Sequence, residues 1–330
     1  MTAPAVEAHG LVKRFGETTA LDGFDLEVPT GTVLGLLGPN GAGKTTAVHI
    51  LTTLSRADEG TARVAGFDVA TEGARIRSRI GLTGQFAAID EHLTGRENLV
   101  MVAQLSGLPR DVARGRADDL LDRFGLSDAG GRAARGYSGG MRRRLDLAAS
   151  LVTSPEVVFL DEPTTGLDPS SRFALWEVIR EVVALGTSVL LTTQYLEEAD
   201  ELADDILVMN HGRGIAQGTA AELKDRVGGE TIVVELSDPT ALDRASDALR
   251  DIAGGELHTD PRNGRLSFPA KGDRARLAAT VRALDDADLD LVDLGLRRPS
   301  LDDVFLELTG ERAVADEAAD DVAQPTGGRR

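Results

Sequence analysis

Short apolar runs rich in β-branched residues recur through the first two thirds of the chain: Val33–Leu37, Val157–Leu160, Val189–Thr193 and Ile206–Met209. Longer stretches with apolar positions at helical spacing separate them, which predicts a parallel sheet covered on both faces. Val6–Phe15 and Phe24–Val28 instead alternate apolar and polar positions, as an antiparallel flank does. Between about residues 87 and 150, Leu99, Val102 and Ala103, then Leu120, Leu121 and Phe124, fall at helical intervals, predicting a helical insertion into the α/β core. The first domain is expected to span residues 1–226 and to end at the loop Val227-Gly228-Gly229.

Beyond that loop the pattern changes to strand (Thr231–Leu236), helix (Thr240–Ile252), strands near Leu257 and Leu266, helix (Asp273–Leu284) and strand (Leu289–Leu296). This βαββαβ order predicts a small split-βαβ, α+β accessory domain over residues 227–310. It closes with a helix that Ser300 can cap with Asp303 in the first turn, and on which Leu301, Val304, Phe305 and Leu308 share a face. Residues 311–330 are polar, acidic for most of their length, and predict a disordered tail.

Composition narrows the classes. With 330 residues, 42% hydrophobic, the chain can bury sizeable cores in two domains. A net charge of -18 argues against broad nucleic-acid binding, which needs a basic face. There is no cysteine for disulfides or thiolate metal sites, and His9, His49, His92, His211 and His258 follow no ligand spacing. No run approaches the roughly 18 apolar residues a membrane span requires. Met1–Gly10 lacks the basic and apolar regions of a signal peptide, so a cytoplasmic location is expected.

Gly38-Pro39-Asn40-Gly41-Ala42-Gly43-Lys44-Thr45-Thr46 follows the buried run Val33–Leu37 and precedes a helical stretch, which is the P-loop pattern in its proper context. The glycines let backbone N–H groups close on a polyphosphate, Lys44 reaches the β and γ phosphates, and Thr45 ligates Mg²⁺. The apolar strand Val157–Leu160 ends in Asp161 and Glu162, at the end of a parallel strand where ligands gather. Asp161 is expected in the Mg²⁺ shell, and Glu162 as the carboxylate that orients or deprotonates an attacking water. The plain alternative for the pair is an acidic helix start before Pro163.

A P-loop alone leaves GTPases and small-molecule kinases open. No Asn-Lys-x-Asp guanine reader is present. The chain does contain Tyr137-Ser138-Gly139-Gly140-Met141 before an Arg-rich stretch, Gln85 after Ile80–Thr83, and Gly166-Leu167-Asp168 just past Glu162. With these in order from Phe15 to Gln194, residues 5–225 resemble the ATP-binding cassette family, specifically the ATP-binding subunits of daunorubicin-resistance type exporters. Arg298-Pro-Ser-Leu-Asp-Asp-Val-Phe305 resembles the C-terminal motif of that subgroup. The implied fold is an α/β P-loop NTPase cassette with an antiparallel β flank, an inserted helical subdomain and a small α+β C-terminal domain. The resemblance implies that Phe15 stacks on adenine, although core packing is its rival reading. It also implies that Gln85 touches Mg²⁺ and water and signals to a membrane partner. Ser138, Gly139 and Gly140 would bind ATP held by the opposite subunit, and Asp168 would bridge the two subunits. The Ser138-Gly-Gly start of a helix is an anion site in its own right, its plain alternative being a turn that caps that helix.

Three departures from the broad family stand out. Tyr137 and Met141 replace leucine and glutamine, and Gln194 stands where histidine is usual. Glutamine can hydrogen-bond a γ-phosphate but cannot carry charge, so slower hydrolysis is expected. Arg142, Arg143 and Arg144 are expected on a surface of the signature helix, the one that Tyr137-Ser-Gly-Gly-Met141 opens, that faces phosphate or a carboxylate partner.

The expected function is that of a cytosolic ATPase on the membrane's cytoplasmic face. ATP closes a head-to-tail homodimer, hydrolysis reopens it, and a separate polytopic permease holds the drug. Phe86–Leu99, with Leu93 and Asn98, is the expected docking surface. A soluble cassette acting on ribosomes or DNA, and a metabolite kinase, are the competing classes. Neither the second cassette, coiled coil or basic region of the first, nor an account of Ser138–Gly140 under the second, is found.

Overall fold

The computed structural model describes residues 3–84, 89–227, 230–255, 257–261, 263–270, 274–297 and 300–309. Gln85, residues 86–88 of the expected docking segment, Arg298 and Pro299 of the C-terminal motif, and the expected tail lie outside the described residues. The chain divides between Ala220 and Ala221 into two compact units, a few residues before the Val227–Gly229 loop.

The first unit opens with strands β1 (Val6–Phe15), β2 (Thr18–Val28) and β3 (Val33–Leu37), then α1 (Lys44–Leu51). β4 (Glu59–Val64), β5 (Phe67–Asp68), α2 (Gly73–Arg77) and β6 (Ile80–Thr83) follow. Three helices come next: α3 (Gly95–Leu105), α4 (Arg110–Arg123) and α5 (Gly139–Ser150). The chain then alternates through β7 (Val157–Asp161), α6 (Pro169–Ala184), β8 (Ser188–Thr193), α7 (Leu196–Leu202), β9 (Asp205–Asn210) and β10 (Arg213–Gly218).

β9, β3, β8, β7 and β6 pair in that order as a parallel sheet, with β10 antiparallel on the β9 edge. The expected strands are therefore present and parallel. Their apolar runs are unbroken because each face is buried. Leu34, Leu36, Val157, Phe159 and Leu190 enter one core with α1 and the β flank, while Val33, Val158, Leu160, Val189 and Leu191 enter another with α3 to α6. A single fully buried side chain such as Phe159 stabilises this by roughly 1.5–3 kcal/mol.

The flank is the four-stranded antiparallel sheet β2-β1-β4-β5. β2 begins at Thr18, earlier than the alternation from Phe24 indicated, because pairing with β1 recruits polar residues up to the Phe15–Thr18 turn. The helical insertion is α3, α4 and α5. Thr94 and Glu97 form a reciprocal capping box at the start of α3.

The second unit, entered through α8 (Ala220–Val227), contains β11 (Thr231–Leu236), α9 (Leu242–Ala253), β12 (His258–Asp260), β13 (Arg265–Pro269), α10 (Arg274–Asp286), β14 (Leu291–Arg297) and α11 (Leu301–Thr309). Its sheet has the order β12-β13-β11-β14, antiparallel throughout, which is the split-βαβ arrangement. Ile232, Val234, Leu266 and Phe268 from the sheet pack with Leu249 of α9 and Leu284 of α10. Ser300 accepts a hydrogen bond from the Asp303 backbone N–H at 3.2 Å and caps α11. Leu301, Val304 and Phe305 are buried, whereas Leu308, on the same face at the end of the helix, is 38% exposed.

Candidate functional site

The β3–α1 loop is held open for a ligand by backbone rather than by side chains. Gly43 adopts φ 108°, and a Cβ there would lie 2.4 Å from the Ala20 carbonyl oxygen on β2. Only glycine fits that approach. Lys44, the first residue of α1, is 4% exposed; its Nζ donates to the carbonyls of Gly38 at 2.7 Å and Pro39 at 3.1 Å, and lies 3.4 Å from Glu162 Oε1. Burial lowers the Lys44 pKa, while Glu162 and Asp161 oppose that shift. Gly41 and Asn40 are exposed at the loop tip, Pro39, Thr45 and Thr46 are half-buried, and Gly38 and Ala42 are buried.

Asp161 closes β7 and is 3% exposed. Its Oδ1 accepts from Thr45 Oγ1 at 3.3 Å and from Thr192 Oγ1 on the neighbouring β8. Glu162 follows with φ 50°, a left-handed conformation uncommon outside glycine, and its N–H donates to the Thr192 hydroxyl and carbonyl oxygens, both at 3.1 Å. The helix-start alternative for this pair fails, because the next helix, α6, begins at Pro169. Gln194 lies one residue past β8, half-buried, and its Oε1 is buried without a protein partner. A buried amide oxygen with no protein partner suits a water that can donate to it, while the NH2 of the same amide is the end able to donate to a phosphate oxygen.

The strand ends of β3, β7 and β8 thus bring together a lysine, two carboxylates, two threonine hydroxyls and an amide. One carboxylate flanked by hydroxyls suits a hard divalent cation that keeps its phosphate ligands. Glycine N–H groups and a helix start suit the polyphosphate itself. The geometry fits a Mg²⁺-nucleotide. Thr192 was not apparent from the sequence; its one signal is a hydroxyl at the end of an otherwise apolar strand.

Phe15 is 56% exposed, which removes core packing as its explanation. It sits at the β1–β2 turn, with Lys13 Nζ 5.4 Å from its ring, on the hairpin whose Ala20 carbonyl abuts Gly43. Ser138 and Gly139 are exposed at the start of α5, and the Ser138 oxygen accepts from Met141 N–H at 3.2 Å. The serine is therefore a helix cap, and that role leaves its O–H able to donate to a ligand. Gly140 is buried; a Cβ there would lie 2.4 Å from Ser171 Oγ. Asp168 is exposed and caps α6 through Ser171 N–H at 2.9 Å and Ser171 Oγ at 2.6 Å, hydrogen bonds that lower its pKa.

The departures have local causes. Tyr137 is buried and its hydroxyl donates to the Ala129 carbonyl at 2.7 Å, beside Gly95, where a Cβ would lie 2.2 Å from that hydroxyl. Of the three arginines, Arg142 faces a carboxylate, Glu91, at 3.8 Å. Arg143 also has a carboxylate, Asp146, at 3.8 Å, but donates its hydrogen bonds to four backbone carbonyls, and Arg144 departs from the expectation by donating to the Phe124 carbonyl at 3.0 Å. Asn98 is fully buried rather than displayed, its amide tying Asp90, Leu93 and Thr94 together.

Comparison with known proteins agrees with this geometry. Residues 21–165 match the ABC transporter family, and residues 218–309 match the family of the ATP-binding protein DrrA1-3-like, C-terminal domain. The chain is 55% identical to daunorubicin resistance ATP-binding protein DrrA2 of Streptomyces coeruleorubidus, over 96% of this chain and 99% of that one. It is 48% identical to doxorubicin resistance ATP-binding protein DrrA of Mycobacterium tuberculosis, over 92% and 93%. It is 38% identical to Nod factor export ATP-binding protein I of Ralstonia nicotianae, over 94% and 95%. Among solved structures, an ATP-binding cassette of an ABC transporter in its ADP conformation superposes with a TM-score of 0.62 at 27% identity, covering 67% of this chain and 93% of that one. A nucleotide loop, a carboxylate-ended strand and a serine-glycine helix start on one such fold lead to a single conclusion: this chain belongs to the ATP-binding, ATP-hydrolysing subunits of ABC transporters, a P-loop cassette followed by a DrrA-type C-terminal domain.

Proposed function

We propose that the chain powers efflux of a hydrophobic drug or antibiotic through a separate polytopic membrane protein, from the cytoplasmic face of the membrane. The observation that carries this reading is the gathering of Lys44, Thr45, Asp161, Glu162, Thr192 and Gln194 at the strand ends, together with a helix start at which Ser138 and Gly139 are exposed. No helix among the described residues is long and apolar enough to cross a membrane, so a transport path needs another chain. Relatives of this length are named for daunorubicin, doxorubicin and Nod factor, so cargo varies while the ATP machinery is shared. That fits a drug contacted mainly by the membrane partner.

In this reading Phe15 stacks on adenine, the loop of residues 38–43 cradles the phosphates through backbone N–H groups other than that of Pro39, which has none, with Thr46 in support, and Lys44 holds the β and γ phosphates. Thr45, Asp161 and Gln85 hold Mg²⁺, which when bound offsets charge on the phosphates. Glu162, 3.4 Å from Lys44, orients or deprotonates the attacking water. Gln194 directs its amide at the γ-phosphate. Ser138, Gly139 and Gly140 complete the site of a second copy, with Asp168 at the junction, so two ATP molecules join two chains head to tail. The segment from Phe86 to Leu99 meets the membrane partner, with buried Asn98 fixing its course and half-buried Leu93 on it. Residues 227–310 steady the dimer or the membrane complex, and 311–330 form a tail.

The test is recovery from membranes of a Glu162→Gln variant with and without Mg²⁺-ATP. Capture of a polytopic companion and an ATP-dependent dimer is expected. A chain that stays solitary under saturating Mg²⁺-ATP, both free and in membranes, ends the proposal, and unchanged recruitment in Leu93 and Asn98 variants ends its docking part.

A further inference from the structure

We infer that Arg143 is a positioning residue of the ATPase reaction. From the signature helix, its guanidinium holds the backbone of the 161–163 turn and so sets where the Glu162 carboxylate points. The inference rests on the role proposed above for Glu162.

The sheet has a gap beside the site. β6 pairs with β7 only as far as Thr83 opposite Leu160. Past that point Asp161 still pairs with β8 through Thr192, but among the described residues the β6 side has no further ladder, and the carbonyls of residues 161–163 need donors beyond the one that Glu162 O has in Thr165 N–H at 3.4 Å. Arg143 supplies them. Its Nε donates to Pro163 O at 2.6 Å, and Nη2 donates to Glu162 O at 2.9 Å and Asp161 O at 3.3 Å. Nη1 reaches across to Gly84 O at 2.7 Å, the residue immediately before Gln85. The side chain is 14% exposed, and Asp146 Oδ2 lies 3.8 Å away. One planar fork therefore replaces the missing rungs between β6 and β7.

This matters for chemistry because of what the fork joins. Glu162 has a left-handed backbone, which persists only where its surroundings over-determine it. Arg143 lies on the first turns of α5, whose start is Ser138–Gly140. The same guanidinium thus ties the glycine-rich helix start, the entry to the Gln85 segment and the Glu162 turn into one body. A lysine cannot do this, since a single ammonium does not span from Gly84 to Pro163.

The experiment uses the full-length chain with Arg143→Lys and Arg143→Met, the latter keeping much of the stem volume, beside wild type and Glu162→Gln. ATP affinity is read by displacement of a fluorescent nucleotide, turnover by phosphate release, and folding by thermal melting. Misplacing a catalytic group by about 1 Å costs on the order of 100-fold, so kcat is expected to fall about 10- to 100-fold in both variants. ATP affinity and KM should stay within about threefold, with Lys retaining more activity than Met. Turnover within about threefold of wild type in both variants overturns the inference. So does a parallel fall of kcat, ATP affinity and melting temperature in both, which would mark Arg143 as merely structural. A wild-type chain no faster than Glu162→Gln overturns the proposed role of Glu162, and this inference with it.

Discussion

Two glycines in one loop separate backbone strain from collision. Gly41 has φ 82° and nothing within 4 Å of where a methyl would sit, while Gly43 has φ 108° and would place that methyl 2.4 Å from Ala20 O, 2.8 Å from Met209 Cε and 3.1 Å from Leu21 Cδ2. Alanine at either position accepts a left-handed backbone, at about 1–2 kcal/mol. At Gly43 the methyl must also push back a strand carbonyl, an overpacking cost of about 1–3 kcal/mol. The excess for Gly43→Ala over Gly41→Ala is therefore about 2 kcal/mol, or about 6 °C at the roughly 3 °C per kcal/mol of a unit this size. The chain has one tryptophan, Trp176, buried in the first unit, so its fluorescence follows the melting of that unit alone. Measured without nucleotide, the comparison is independent of ATP contacts. Equal depressions, or a larger one for Gly41→Ala, would refute the reasoning.

Glu198 on α7 is fully buried and its Oε1 accepts from Trp176 Nε1 at 3.2 Å; burial raises its pKa against the pull of that bond and of the nearby Arg172 charge. Because the folded pKa lies above the unfolded one, the stability this group contributes is complete below the ordinary glutamate range, and is lost as pH rises through the folded value, at about 1.4 kcal/mol per pH unit between the two. Glu198→Gln keeps the acceptor and does not titrate, so its melting temperature should gain on wild type as pH rises from about 4; a constant offset across pH would contradict this. For Gln194→His, a charge-assisted bond to the γ-phosphate should raise kcat by about tenfold at pH 6.5, near the imidazole pKa, in a phosphate-release assay. No acceleration would show that Gln194 does not limit hydrolysis.

The reach of sequence reasoning follows the range of the interactions involved. The P-loop, the β7 carboxylates and the buried strands were legible because their signals are contiguous: glycine where the backbone must turn, unbroken apolar runs where both sheet faces are covered. Ser300 and Asp303 likewise announced a cap within one turn. β10 and β4 gave no such signal: β10 is an edge strand with mostly exposed positions, and β4 keeps four of its six residues exposed and takes its place by pairing with the distant β1.

What the residues by themselves determined is thus the nucleotide loop, the two-sided sheet, the order of elements in the C-terminal unit and the membership of the cassette family. Only the tertiary structure decided that Thr192 would brace both Asp161 and Glu162, that Arg143 would spend its guanidinium on the carbonyls beyond the last β6 rung, and that Asn98 and Tyr137 would turn inward. These contacts join positions some tens of residues or more apart, or depend on which side of an element faces a neighbour. A periodic pattern says that a face is buried. Hydrogen-bond partners are assigned only when strands end at different lengths and a helix arrives to meet the unpaired groups.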